Sequence, residues 1–401
     1  MASLAQIVPA QQCLVQRPAM ELPRPRRRVT ELDILRGFLL LWMTLTHLPT
    51  KASIISNQTF GFVSGAEGFI FLSAFMVGQL EFHIEGNSGF AATVRDIRRR
   101  TFRIYVYHCA LLVGAFTLVA QIGVSFHRLA LENLLSYYIQ SPNKALLAAA
   151  LLEYRPSLFD ILPMYIVFMA LTPVARGIAR RWTWAPVIGV SLAVWVAAQF
   201  GLRKWMYAHV DLFGLSVPES STGAFDLYAW QLLWMAGLAL GTMSAGRFSG
   251  ATESNRMKGE SRVRTWVLIL SVAVAACFVV LRYSPADHWM NAEWYGRLID
   301  KWHLGAARIV NFAAITTIVV RYGSRIAAFV ILKPLALLGR ASIEVFSAHV
   351  VCSVAGQAMS KDADPQLTAW QQVTLLAVTL TVLFSTAAVC ARRNQNRRRE
   401  R

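Results

Sequence analysis

Ten apolar runs divide this chain, and arginine clusters recur at alternate breaks between them. The runs are approximately Ile34–Leu48, Phe60–Leu80, Ile104–Val124, Leu158–Val174, Ala185–Gly201, Phe225–Gly241, Thr265–Leu281, Leu304–Val320, Pro334–Ala355 and Trp370–Ala391. A lipid interior offers no hydrogen bonds to an exposed backbone, so a crossing segment must satisfy its own peptide groups. Runs of about 20 residues do this as helices. The expected fold is therefore all-α: a polytopic integral membrane protein of about ten transmembrane helices, with both termini cytosolic.

The breaks test that reading. If residues before Ile34 are cytosolic, the inner segments hold Arg24 to Arg28, Arg95 to Arg103, Arg176 to Arg181, Arg247 to Arg264, Arg321 to Lys333 and Arg392 to Arg401. That places roughly 26 Lys/Arg inside against roughly 10 outside, as the positive-inside rule requires. Only 15% of the 401 residues are charged, against about 25% in soluble domains. The net charge of +18 is thus a topology signal. It comes with no base-reading motif, so no nucleic-acid partner is expected.

Three domains are expected: a disordered basic cytosolic tail over 1–30, a transmembrane domain over 31–391, and a basic cytosolic tail over 392–401. No cleavable signal peptide is apparent in the polar first 30 residues. Ser125–Ser157 and Leu202–Ala224 read as long outer loops, Arg282–His303 as an aromatic-rich one, and Gly246–Arg264 as a polar inner linker. Cys13, Cys109, Cys277, Cys352 and Cys390 have neither zinc nor disulfide spacing. Four of them lie in apolar runs and read as buried small side chains. No internal repeat is evident.

The chemistry-bearing residues stand out by being ionisable in apolar surroundings. Arg36 and His47 are eleven residues apart, close to three helical turns, so they share a face about 16 Å apart along the axis. Asp33 lies one turn before Arg36. The uncharged stretch between Arg36 and His47 is about half a bilayer crossing, so one of the two must meet a polar cavity or thinned bilayer. The plain alternative has Arg36 snorkelling to headgroups and His47 ending a helix closed by Pro49. Glu67 sits among Gly61, Ser64, Gly65 and Gly68, small residues at helical spacing that allow close helix packing. A carboxylate there needs a partner or a proton, and Arg36 and His47 are the nearest candidates in sequence. Arg95, Arg99, Arg100 and Arg103 make a basic helical face suited either to phosphate or to anionic lipid. Late in the chain come Arg340 and, inside an apolar run, His349. Trp289, Trp294, Tyr295 and Trp302 could stack on sugars, or form an interfacial belt.

These motifs carry a resemblance. Arg36 with His47, Glu67-Gly-Phe-Ile-Phe-Leu-Ser73, Arg100-Thr-Phe-Arg103-Ile, and Leu338-Gly-Arg340 to His349 resemble the signatures of the acyltransferase 3 superfamily. More closely, Glu31-Leu-Asp-Ile-Leu-Arg-Gly37, Met43-Thr-Leu-Thr-His-Leu-Pro-Thr50 and Gly61-Phe-Val-Ser-Gly-Ala-Glu-Gly-Phe69 resemble the OpgC-type family of osmoregulated periplasmic glucan succinyltransferases. Asp160-Ile-Leu-Pro-Met-Tyr165, Trp230-Gln-Leu-Leu233 and Asp300-Lys301 continue the match, which runs from Val29 to His349. Ala74 and Val106 depart from the pattern, where glycine and proline are usual, and leave the subfamily open.

The resemblance implies a bacterial inner-membrane enzyme. It would transfer an acyl group, succinyl in the type reaction, from cytosolic acyl-CoA to a hydroxyl of a periplasmic glycan. His47 would act as general base, helped by Glu67 or Asp33, while Arg36, Arg100 and Arg103 hold the donor's phosphates. His349, Arg340, Tyr165 and Trp230 are further candidates. Neither a metal nor a bound cofactor is expected, and acyl-CoA enters as donor substrate. No serine or cysteine nucleophile motif is present, which favours direct transfer. A transporter or flippase of glycans or lipid-linked sugars is the competing class, and a scaffold for an envelope synthesis complex is a third.

Overall fold

A computed structural model describes residues 30–210, 214–249, 265–284 and 291–400. The basic tail expected over the first 30 residues and most of the linker before Arg264 fall outside them. Among the described residues there is no β-strand, and each of the ten apolar runs falls on helix.

The chain starts with α1 (Thr30–His47), the short α2 (Lys51–Ser56), α3 (Gly65–Ser88) and α4 (Phe90–Phe126). Acidic Glu31 and Asp33 in the first turn of α1 suit the positive end of the helix dipole. Its last residue is His47, two before Pro49. A capping box of Ser64 and Glu67 starts α3, so Glu67 spends one oxygen on the orphan N–H groups of its own helix. At 37 residues, α4 is about 55 Å long and passes through one π-helical turn at Ala115–Val119. It outruns the roughly 30 Å hydrocarbon core, so one end projects.

The region expected as a long outer loop is largely helical instead. It holds α5 (Leu129–Leu134), α6 (Ser136–Gln140) and α7 (Pro142–Ala150), with Ala145, Ala148 and Ala149 fully buried. Tyr105 Oη donates to the Ala150 carbonyl at 3.0 Å, so this segment folds back along α4. Next come α8 (Ile161–Arg181), α9 (Trp184–Gln199), α10 (Leu202–His209), α11 (Leu227–Ser249), α12 (Thr265–Tyr283), α13 (Ala292–Ile299) and α14 (Ala306–Ala327).

The ninth apolar run, expected as one helix, is two. α15 (Leu335–Arg340) and α16 (Ser342–Gln357) break at Ala341, whose backbone is non-helical. The reason is packing against α1. A Cβ on Gly37 would run into the backbone of Leu335, and one on Gly339 into that of Asp33. The two glycines let α15 lie directly on α1, and α16 starts after Ala341. The last helix, α17 (Ala369–Arg399), continues through the basic stretch at its end.

Among the described residues, four helices are individually long and apolar enough to cross a membrane: α4, α8, α12 and α17. The number rises to six if each of two bent pairs is one span. These are α9 with α10, bent by 81°, and Ala306–Ala327 with Val330–Arg340, bent by 102°. A large hydrophobic core runs through the helices and includes Leu40, Ile70, Trp230, Trp234 and Val345, all fully buried. Contrary to expectation, Cys277 is exposed, on the nearly unburied α12, and Cys109 and Cys390 are half-buried; Cys352 alone of the four described is buried.

Candidate active site

The end of α1 and the middle of α16 bring together His47 and His349. His47 Nδ1 and His349 Nε2 are 3.3 Å apart, with ring centroids 5.3 Å apart and planes tilted by 33°. His349 is buried, and its other nitrogen lies 3.4 Å from Ser353 Oγ, one turn further along α16. His47 is half-buried and lines a cavity of about 430 Å³ with Thr46, Asn133, Ser157, Gln357 and Asp364. Its Nε2 makes no hydrogen bond to the described residues. The cavity's hydroxyl, amide and carboxylate groups stand among apolar Leu48, Pro49, Ala130 and Leu134, and Asn133 comes from the back-folded α5 region.

Hydrogen-bond logic allows two proton orders along Ser353, His349 and His47. For His47 to accept a proton at Nε2, its Nδ1 must carry one and donate to His349 Nε2. His349 then carries its own proton on Nδ1 and donates to Ser353 Oγ. This order holds the His47 ring in the tautomer a general base needs.

Glu67 is fully buried, and its partner is neither Arg36 nor His47 but Arg308 of α14. Arg308, equally buried, donates to Glu67 Oε1 from Nε at 2.9 Å and from Nη2, a forked arrangement. The other Glu67 oxygen accepts from the Ser64 amide at 3.0 Å and from its hydroxyl. Both oxygens are thereby satisfied, which is what makes a charge at this depth tolerable. Lys301 lies within electrostatic reach of Glu67, Arg308, Asp160 and His47. Its ammonium rests over the Trp302 and Phe225 rings at 5.0 and 5.9 Å.

The remaining candidates go elsewhere. Asp33 is buried and accepts from Arg340 Nε at 3.2 Å across the α1–α15 contact. It is fourteen residues from His47, about 21 Å along the helix, and does not touch its ring. Arg36 stacks its guanidinium over Phe69 at 5.5 Å. Arg100 pairs with Asp96 at 2.6 Å, and Arg103 with Glu344, which also accepts from Tyr107 at 3.2 Å. Of the three arginines expected at donor phosphates, Arg100 and Arg103 thus have carboxylate partners. Tyr165 packs edge-on against Trp234 at 4.9 Å.

Trp230 is fully buried, and its indole N–H bonds the Lys301 and Trp302 carbonyls at 3.2 and 3.1 Å. It pins the turn between α13 and α14, where Asp300 accepts from His303 Nδ1 at 2.6 Å. That bond holds the His303 proton more firmly than usual. Trp289 lies outside the described residues, and Trp294 is exposed.

Two participants were not singled out from sequence: Arg308 and Ser353. Arg308 was detectable, since it is an arginine inside the apolar run Leu304–Val320. Ser353 carries no such signal among many hydroxyls.

No curated protein and no solved structure matches the chain. The family described as OpgC protein does, over residues 28–395, and it covers both histidines, Glu67 and Arg308. The chain belongs to the OpgC family.

Proposed function

We propose that this protein is a membrane O-acyltransferase that moves an acyl group, succinyl in the reaction named for the family, from cytosolic acyl-CoA to a hydroxyl of a periplasmic glucan. Family membership supports an acyltransferase-like role on glucans. The observation that carries the reading further is the His47–His349 pair on the wall of a polar cavity.

In the proposed step a glycan hydroxyl sits in that cavity. Its oxygen attacks the thioester carbonyl while His47 Nε2 takes the hydroxyl proton. The C–S bond then breaks, and the thiolate of CoA leaves with the proton that His47 held. His349 acts as a positioning residue, accepting from His47 Nδ1–H and so favouring the imidazolium that forms. The Glu67–Arg308 pair ties α3 to α14. The test is thiol release: purified protein should liberate CoA from acyl-CoA only when glycan is added. Glycan passage across proteoliposomes with no thiol release would favour the transporter reading.

Donor binding is assigned to Arg100 and Arg103 on the arginine-rich end of α4. Their carboxylate partners sharpen the expectation. Arg103→Gln should raise the KM for acyl-CoA, and Glu344→Gln, which frees Arg103, should lower it. Arg103→Lys should restore affinity only in part, because lysine lacks the two-pronged guanidinium. Steady-state kinetics with acyl-CoA varied checks all three.

We also propose ten membrane crossings with both termini cytosolic, on the strength of the alternating basic breaks. Reporter fusions after Arg181 and Arg264 should then read cytosolic. Fusions in Ser125–Ser157 should read periplasmic. One reversed reading would break the ten-span count.

A further inference from the structure

A second opening lies between α4 and α8, and nothing in the proposed reaction uses it. It is a groove of about 630 Å³ lined by Ile97, Arg98, Arg99, Phe102, Tyr105 and Pro173, together with Thr101, Ile166 and Ala170. The histidines and the cavity beside them are not part of its lining. Its walls are mainly apolar, and two guanidinium-bearing residues stand along one stretch of it.

Those two arginines differ from their neighbours. Arg100 and Arg103 are engaged by Asp96 and Glu344, whereas Arg98 and Arg99 are exposed and make no ion pair with the described residues. An apolar trough flanked by unpaired guanidinium groups fits an amphiphile with an anionic head. The surroundings show from where it would enter. Phe102, Leu171, Val174 and Ile178 are exposed large apolar side chains on the same two helices. On a membrane protein such a surface faces acyl chains, so the groove opens sideways to the bilayer. Position in the chain fixes the leaflet: Arg98 and Arg99 belong to the basic break that the charge rule assigns to the cytosolic side, where anionic headgroups attract arginine.

We propose that the α4–α8 groove is a binding site for an anionic phospholipid of the cytosolic leaflet. The headgroup phosphate lies on Arg98 and Arg99, and one acyl chain runs along Ile97, Tyr105, Ile166 and Ala170. Arginine suits this phosphate because its fork can bond two oxygens at once.

The experiment uses the full chain in nanodiscs of phosphatidylglycerol and phosphatidylethanolamine in equal amounts, followed by native mass spectrometry of the lipid retained. The wild type should retain phosphatidylglycerol in preference. Arg98→Gln with Arg99→Gln should lower that preference by about thirtyfold, from roughly 1 kcal/mol per basic residue near anionic lipid. Ala170→Phe, which obstructs the groove and leaves both arginines, should lower it as well. Arg392→Gln with Arg393→Gln removes two exposed arginines at the end of α17 and should leave it unchanged. The wild-type measurement alone can overturn the proposal, by showing equal retention of the two lipids. So would an equal loss in the Arg392/Arg393 variant, which would mean diffuse attraction. Displacement of the retained lipid by added acyl-CoA would assign the groove to the donor instead.

Discussion

His47→Gln should lower acyl transfer by about a hundred- to ten-thousand-fold, the range a general base contributes, while the protein keeps its yield and its affinity for acyl-CoA. Glutamine keeps a hydrogen-bonding side chain but accepts no proton at neutral pH. It can still reach toward His349, so packing at the end of α1 survives. His47→Ala should be as inactive and somewhat less stable, since it leaves His349 buried with one contact fewer. His349→Gln separates position from chemistry. If His349 sets the tautomer of His47, this variant should be slow but not dead, with its loss in kcat and little change in the KM for acyl-CoA. A His349 variant as inactive as His47→Gln would move the base to His349. Full activity in His47→Gln would remove the base assignment altogether.

The second large effect is structural. Glu67 and Arg308 are both almost wholly buried and bonded through a fork. Breaking a buried pair by removing one partner costs about 3–5 kcal/mol, because the survivor is an uncompensated charge. Arg308→Met and Glu67→Gln should therefore each lower the melting temperature in detergent sharply. Glutamine at position 67 can still serve the capping box with Ser64, so its cost isolates the stranded arginine. The double variant Glu67→Gln, Arg308→Met should melt well above either single one, since two neutral side chains of similar volume leave no stranded charge. Its activity then reports the pair's role: recovered stability with transfer still lost means that the charges act on the reaction, and recovery of both means that they only hold α3 to α14. Additive losses in the double variant would contradict the buried-pair account.

Much of this site was legible in the sequence, for one physical reason. An ionisable side chain in an apolar run is expensive, so each one marks a place where the fold supplies a partner or a cavity. That argument singled out His47, Glu67 and His349, and it applies equally to Arg308. What it could not give is pairing. His47 and His349 are 302 residues apart, Glu67 and Arg308 are 241 apart, and no local periodicity encodes which distant helix faces which. Sequence proximity suggested Arg36 for Glu67, but Arg36 lies against Phe69 instead.

The fold shows the same division. Hydropathy located the helices because burial of backbone in lipid requires them. It missed the break at Ala341, which follows from the close approach at Gly37 and Gly339. It also read the stretch after α4 as loop, because helices of five to nine residues are too short to display a helical period. That segment contributes Ala130, Asn133 and Leu134 to the cavity at His47, so this wall of the cavity was the part least visible from sequence.

The most direct measurement is the mass of the glycan itself. Purified protein, acyl-CoA and glucan are incubated in detergent, and the glucan is weighed by mass spectrometry, with His47→Gln at equal concentration beside the wild type. The proposed reaction predicts glucan heavier by whole acyl units with the wild type and unchanged with the variant. Glucan that stays unmodified with the wild type, or gains acyl groups equally with His47→Gln, would contradict it.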